Sequence, residues 1–328
     1  MKQLLPLLFF VFCLTGFAQT KVILDADFDS DIDDVGALAM LLNLHKCGTI
    51  NLAGVAVTSD DPFAPVCVEA MLAWYGENDI PVAFLQEQEK LVNHSRYTRQ
   101  MAEEFSTSQK KSSEFPDVVT LYREVLSRSA NSSVVIVTIG HLSSLQKLLM
   151  SESDHHSPLS GKELARQKTA RWLCMGGLFP EGKEANFYRP DPASTGYCLA
   201  NWTNEVVFCG WEVGNIIITG DAYLKEHANR ASPLYRGYEL YNNFHGRASW
   251  DQIAVLLLTE QGRGFFDVCR SGQCEVDETG YNRWVKGAIA NHGYLVLKNK
   301  ATADSIARFT DNLMWGNPET LLQICEGK

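Results

Sequence analysis

Along these 328 residues, short apolar runs alternate with segments of helical period, and that alternation limits the fold more than any other feature. "VILD" (22–25) precedes "DVGALAMLLNLHKC" (34–47), and "INLAGVAVT" (50–58) precedes "APVCVEAMLAWYG" (64–76), with "IPVAFL" (80–85) after it. "SSVVIVTIG" (132–140) leads into "HLSSLQKLLM" (141–150). "ARWLCMGG" (170–177), "EVVFCG" (205–210) and "NIIITG" (215–220) read as strands, and "WDQIAVLLLTEQ" (250–261) as a helix. Such a pattern predicts an α/β fold with an open, largely parallel central sheet flanked by helices. From Gly264 to Lys298 the pieces are shorter and β-rich, and a closing helix is predicted near Ala303 to Leu313. With no internal repeat, low-complexity tract or linker, residues 19–328 read as a single domain. Ligands of open α/β sheets sit outside the carboxyl ends of the strands. Asp25, Asp61, Gly140 and Met175 all fall at or just after such ends, so distant residues can converge on one rim.

The stretch "KVILDADFDSDIDD", Lys21 to Asp34, sets six aspartates within ten residues behind the first of those runs. Asp33 and Asp34 open a helix, where the backbone dipole favours negative charge. That accounts for two of them. Carboxylates crowded without partners must otherwise shift their pKa values or be neutralised. A hard divalent cation taking oxygen ligands is the economical solution, and calcium or magnesium fits it; the plainer alternative is a solvated acidic loop. An EF-hand-like loop would want Glu at the twelfth position from Asp25, where Gly36 stands. "VILDADFDS" also resembles the nucleophile motif of haloacid-dehalogenase-like phosphatases, with Asp25 phosphorylated and Asp27 as acid. The later lysine and carboxylate pair that such an enzyme needs are not convincingly placed.

The opening "MKQLLPLLFFVFCLTGFAQT" reads as a secretory signal peptide over residues 1–18, cleaved near Ala18, and too short in its apolar run to span a bilayer. The mature chain is therefore expected to be exported to the periplasm or the extracellular space. Losing the leader, with its Lys2, takes the net charge from −10 to −11. A surface this acidic argues against nucleic acid and against an anionic membrane as partners. With 45% hydrophobic residues the chain can bury a sizeable core. Eight of the nine cysteines remain after cleavage, and Cys269 and Cys274 in "CRSGQC" are the best local candidates for a disulfide. No cysteine or histidine spacing points to zinc.

"DADFDSDIDD" followed by a small-apolar helix resembles the amino-terminal signature of the inosine–uridine-preferring nucleoside hydrolase family. The likeness continues in order through "GVAVTSDD" (54–61), "VVIVTIGHLSSL" (134–145), "MGGLFPEGKEAN" (175–186) and "RASWDQIAVL" (247–256), spanning Val22 to Leu256. This resemblance implies a Rossmann-like core and hydrolysis of the N-glycosidic bond of ribonucleosides, giving free base and ribose, with calcium as cofactor. It further implies that Asp27, Asp34, Asp251 and the Ile139 carbonyl hold the metal, Asp27 also acting as general base. Asp33, Asp61, Glu184 and Asn186 would hydrogen-bond the ribose, Met175 would pack beside it, and Asp25 would orient the carboxylates from behind. The family's habits imply a homodimer or homotetramer and a small-molecule nucleoside as substrate.

Two departures bear on the leaving base. Many members carry His just before the late Asp as an acid, and here that position is Trp250; Asp61 stands where many have Asn. Both resemble the purine-preferring branch, in which aromatic rings sandwich the base. His245 is near enough in sequence to serve as an acid, with a surface histidine as the plainer reading. Asp29 adds a charge where the family often has Gly. Trp74 and Trp172 read as core, and Arg247 as either a partner of a site carboxylate or an exposed ion pair. The rival to catalysis is a binding module that keeps the metal site without turnover.

Overall fold

The computed structural model of the protein describes residues 19–28, 30–86, 95–108, 110–287, 291–298 and 302–326; the leader at 1–18 and Asp29 lie outside the described residues. The strands are β1 (Thr20–Ala26), β2 (Ile50–Val57), β3 (Val82–Phe84), β4 (Val134–Thr138), β5 (Thr169–Met175), β6 (Glu181–Lys183), β7 (Glu205–Cys209), β8 (Ile218–Thr219), β9 (Arg247–Ala248), β10 (Phe266–Cys269), β11 (Gly272–Val276), β12 (Tyr281–Lys286) and β13 (His292–Leu297). Eight of them form one sheet in the order β10-β13-β7-β5-β4-β1-β2-β3. Every neighbouring pair in it is parallel except β10 with β13. The expected α/β architecture, open and largely parallel, is the one that forms.

Continuous apolar runs suit this sheet because helices cover both faces. Val22 and Leu24 of β1 enter one core with Val135 and Val137 of β4, while Ile23 enters the opposite core with Val134 and Ile136. The same alternation carries Leu173 and Val207 to the first core and Trp172 and Phe208 to the second. Trp172 is buried as expected, its indole N–H donating to Thr138 Oγ1 at 2.8 Å. Trp74 is not core. It ends up 43% exposed in the last turn of the helix Ala64–Tyr75, edge-on to Phe105.

Three other pieces differ from the sequence reading. "NIIITG" yields only the two residues of β8, paired antiparallel with β9 away from the large sheet. It starts right after the helical turn Trp211–Gly214 and stops at Gly220, whose φ of 73° turns the chain. The "WDQIAVLLLTEQ" helix stops at Leu256, and Thr259 caps a second one, Glu260–Gly264, its side chain accepting from Gly262 N at 2.9 Å. Cys269 and Cys274 form no disulfide with each other. Cys269 ends β10 in the large sheet, whereas Cys274 lies buried in β11 of the three-stranded sheet β11-β12-β6, which separates the two thiols. Among the described residues no helix is long and apolar enough to cross a membrane.

The first helix, Asp33–Lys46, is buried along most of its length and packs against the helices Trp250–Leu256 and Ala303–Trp315. Gly36 permits that approach. A Cβ there would lie 2.6 Å from Gln252 Nε2 and 2.7 Å from both Met314 Sδ and the Tyr238 hydroxyl. The closing helix, Ala303–Trp315, is longer than expected and is followed by another, Pro318–Glu326.

That closing helix buries Asp311, whose carboxylate accepts the Gly220 N–H at 2.9 Å. Burial raises its pKa to about 7. A carboxyl raised in the folded state contributes stability below the unfolded pKa and loses it as pH rises through the folded value. The wild type should therefore lose stability between about pH 4 and pH 7, by up to about 1.36 kcal/mol per pH unit from this group. Asp311→Asn keeps the acceptor and removes the titration. Thermal melts across that range should show the melting-temperature difference between variant and wild type growing toward pH 7; a constant difference contradicts this assignment.

Candidate active site

In a parallel sheet the carboxyl ends of β1, β4 and β5 lie side by side, and the chain leaves each of them into one pocket. Asp27, Ile139 and Met175 enter it from those strand ends, and Asp33 and Asp34 from the first turn of the first helix. Glu184 and Asn186 come from the segment after β6, and Trp250 and Asp251 from the start of the helix Trp250–Leu256. Among the described residues that the sequence singled out for the site, Asp25 and Asp61 do not line it, nor does the alternative acid His245.

The acidic floor is set by the contact between those two helices. Asp33, Asp34 and Asp251 are all buried, with one carboxylate oxygen of each within 4.8 Å of the others. Asp251 N donates to Asp33 Oδ2 at 3.3 Å, and Phe28 N to Asp34 Oδ1 at 3.2 Å. Burial, and next the charge of Asp31, lifts Asp33 to about 7. Burial, followed by the charges of Asp33 and Asp34, pushes Asp251 well above the carboxylate range. Three buried carboxylates that resist joint ionisation make an all-oxygen donor set suited to a hard divalent cation. Phe28 carries a positive φ of 48° although fully buried, a conformation costing about 1–3 kcal/mol that clusters at functional loops. Asp27 precedes it and packs against Gly140, where a Cβ would lie 2.8 Å from the Asp27 Cβ and backbone nitrogen.

Glu184 and Asn186 build the opposite wall. Glu184 accepts Gly177 N at 3.0 Å and Asn186 N at 2.9 Å, fixing the loop after β5, and burial raises it to about 7. The Asn186 amide donates to the carbonyls of Ile139, at 3.0 Å, and Met175, at 3.3 Å. Asp25 lies behind the pocket, accepting from the Thr58 hydroxyl and, at 2.7 Å, from the Tyr122 hydroxyl. Burial raises it to about 7. Asp61 is held elsewhere. Its oxygens accept Phe63 N at 2.9 Å and the Thr98 hydroxyl at 2.5 Å, which fastens the helix Ala64–Tyr75 to Thr98–Phe105.

His245 is an exposed histidine outside the pocket, its ring nitrogen 2.5 Å from the Asn242 carbonyl. Arg247 partners a site carboxylate, pairing with Asp31 at 2.9 Å while its guanidinium stands 4.8 Å from the centre of the Trp250 ring. Further lining residues escaped the sequence reading: Ser30, Asp31, His141, Ala185, Arg189 and Trp211. His141 and Trp211 follow directly on the strand-end glycines Gly140 and Gly210, which was the signal available for them. Burial lowers His141 to about 4, so its imidazole is neutral. Trp211 and Trp250 lie nearly parallel, with ring centres 6.3 Å apart and planes at 26°, and the Trp250 N–H donates to the Trp211 carbonyl at 3.0 Å.

Residues 22–312 match the family described as inosine-uridine preferring nucleoside hydrolase. The chain belongs to that family. Among solved structures, the plant nucleoside hydrolase PpNRh1 is 16% identical, with 90% of this chain and 99% of that one covered at a TM-score of 0.66. The inosine-uridine preferring nucleoside hydrolase from Bacillus anthracis is 15% identical, with 90% and 100% covered at 0.66. An inosine-guanosine nucleoside hydrolase is 16% identical, with 90% and 99% covered at 0.64. At these identities the likeness shows the fold. No curated protein matches the chain. Family membership makes this an enzyme that hydrolyses nucleosides, and the acidic floor gives a nucleoside hydrolase a place for a metal.

In this hydrolase Gly140→Ala should drive a methyl group into Asp27, whose Cγ would stand 2.9 Å away. Overpacking of this kind costs about 1–3 kcal/mol, and displacing a reacting group by about 1 Å costs roughly a hundredfold in rate. Turnover of inosine should fall by at least about tenfold with the folded state retained by circular dichroism. Near wild-type turnover would show that the contact between Gly140 and Asp27 does not set the geometry.

Proposed function

We propose that the pocket performs calcium-dependent hydrolysis of the N-glycosidic bond of ribonucleosides, with purines preferred. The observation that carries this reading is the convergence of Asp33, Asp34 and Asp251, from two distant segments, into one buried acidic floor facing the Trp211–Trp250 wall. Asp27, Asp34, Asp251 and the Ile139 carbonyl would hold the ion, with Asp33 close enough to the same carboxylates to serve either the ion or the ribose hydroxyls. Bound there, calcium would lower the pKa of an attacking water and hold it in place.

The chain's own residues supply the rest. Breaking the bond builds oxocarbenium character on the ribose, as in glycoside hydrolysis. Asp27, at the end of β1, takes the proton of the attacking water. Asn186 and Glu184 orient the ribose from the opposite wall, and Met175 packs beside it. Asp25 braces the floor from behind, and Asp61 acts indirectly by anchoring the helix that follows it. Trp250, backed by Trp211, stacks on the departing base. The leader sequence supports export, and residues 19–328 act as a single domain in a homodimer or homotetramer.

Two experiments test this. Where calcium stands about a hundredfold above its Kd, binding adds about 2.7 kcal/mol of apparent stability. Chelation should therefore lower the melting temperature and abolish ribose release from inosine, and calcium should restore both ahead of magnesium. A melting temperature and turnover indifferent to chelator rule out the ion. Stacking on an aromatic ring is worth about 1–3 kcal/mol per base, and each 1.36 kcal/mol is about tenfold in rate. Inosine should thus exceed uridine in kcat/KM by at least about tenfold, and Trp250→Ala should remove most of that ratio. Equal rates on the two nucleosides in the wild type contradict the purine preference.

A further inference from the structure

Six acids line the pocket against two arginines, and the two cations are in different circumstances. Arg247 is committed: Asp31 holds its guanidinium at 2.9 Å, and Tyr241 donates to the same carboxylate oxygen at 2.7 Å. Arg189 is not. It is exposed, it lines the pocket beside Glu184, Ala185 and Asn186, and among the described residues it makes no ion pair. Its guanidinium carbon lies 5.2 Å from the centre of the Tyr188 ring. Lys183 places its ammonium 4.9 Å from the centre of that same ring, again without an ion pair among the described residues. One tyrosine therefore gathers two cations, of which Arg189 lines the pocket and Lys183 stands beside it on the same ring, in a chain of net charge −10.

The backbone keeps this arrangement in place. Glu184 caps the short helix Ala185–Tyr188, and Arg189 N donates to the Ala185 carbonyl at 2.8 Å, so Arg189 is tied to the segment carrying Asn186. Lys183 is fixed by pairing of β6 with β12, opposite Tyr281. Cations that make no ion pair among the described residues, on an aromatic ring and beside Asn186, suit a phosphate, whose oxygens accept the several N–H donors of an arginine.

We propose that Arg189, supported by Lys183, binds a phosphate on the 5′ carbon of the substrate's ribose, so that the preferred substrate is a nucleoside 5′-monophosphate. This rests on the N-glycosidic hydrolysis proposed above. In the reaction the water oxygen bonds to C1′ as the C1′–N bond breaks, and the bonding pair leaves with the base. One water proton goes to Asp27 and the base takes a proton from solvent, releasing ribose 5-phosphate with its phosphate ester intact.

The test compares inosine 5′-monophosphate with inosine in the wild type, Arg189→Ala, Arg189→Lys and Lys183→Ala. The monophosphate should have the higher kcat/KM in the wild type. Arg189→Ala should cut the ratio of the two substrates by at least about tenfold, the size of a lost charge-assisted hydrogen bond. Arg189→Lys should recover part of it, and Lys183→Ala should lower it less. A wild type that prefers inosine, or a ratio unmoved by Arg189→Ala, overturns the proposal. If the enzyme cleaves neither compound, the hydrolysis reading fails by itself, and calorimetry with ribose 5-phosphate and ribose decides the anion site. Tighter binding of ribose 5-phosphate that Arg189→Ala abolishes upholds it, and equal binding of the two sugars overturns it.

Discussion

Mutual repulsion among carboxylates is the constraint around which this molecule is organised. Asp33, Asp34 and Asp251 keep oxygens within 4.8 Å of one another in the protein interior. At an effective dielectric constant of about 20, two full charges that close repel by roughly 3 kcal/mol. The local chain offsets only part of that repulsion; packing elsewhere imposes the arrangement. Gly36 lets two buried helices close on each other, and that contact carries Asp251 to the first turn of the first helix. Behind them, alternate residues of β1, β4 and β5 enter two separate cores. Packing on both faces of the sheet holds the like charges together at its rim.

Part of the charge is managed locally. The first two helical positions are acidic, where the helix dipole favours them, and two backbone N–H groups donate into the floor, from Asp251 and Phe28. These offset part of the repulsion, and burial still holds Asp33 and Asp251 above the usual carboxylate range. Such a floor takes protons or takes a cation. Its oxygen donors and its seat at the carboxyl edge of a parallel sheet favour the cation.

Much of this was legible in the sequence, for a reason that also marks where legibility stopped. Strand ends are readable from apolar runs, so Asp25, Gly140 and Met175 could be placed on one rim from the sequence, and the family resemblance added Asp27 and Ile139. The late Asp251 was readable from its motif. Asp61 lies outside the pocket lining, and its distance from the strand says nothing of the Thr98 hydroxyl, 37 residues on, that donates to its carboxylate. Trp74 was misjudged because the last turn of its apolar helix, closed by a left-handed Gly76, presents that position to solvent. Arg189 and Trp211 escaped because their roles depend on how loops fold over the rim, and loops carry no periodicity. Arg247 could be one thing or the other in sequence; only the placement of Asp31 and Trp250 on either side of it decides.

That arginine joins the two halves of the site. Asp31 belongs to the acidic loop, and Trp250 to the wall proposed to stack on the base. Arg247 bonds the first and lies over the ring of the second. The Tyr241 hydroxyl holds the carboxylate end of the pair, and the indole N–H of Trp250 is fixed on the Trp211 carbonyl. A pocket whose one histidine among the described lining residues is buried and neutral has no imidazolium to give to a leaving base. Holding the tryptophan faces still is then the main contribution that this wall can make to the departure of the base. The ordering of that wall comes through a charge in the same loop that shapes the floor. Changes in the floor's charge should therefore be felt by the stacking wall through Asp31 and Arg247, without a separate conformational step.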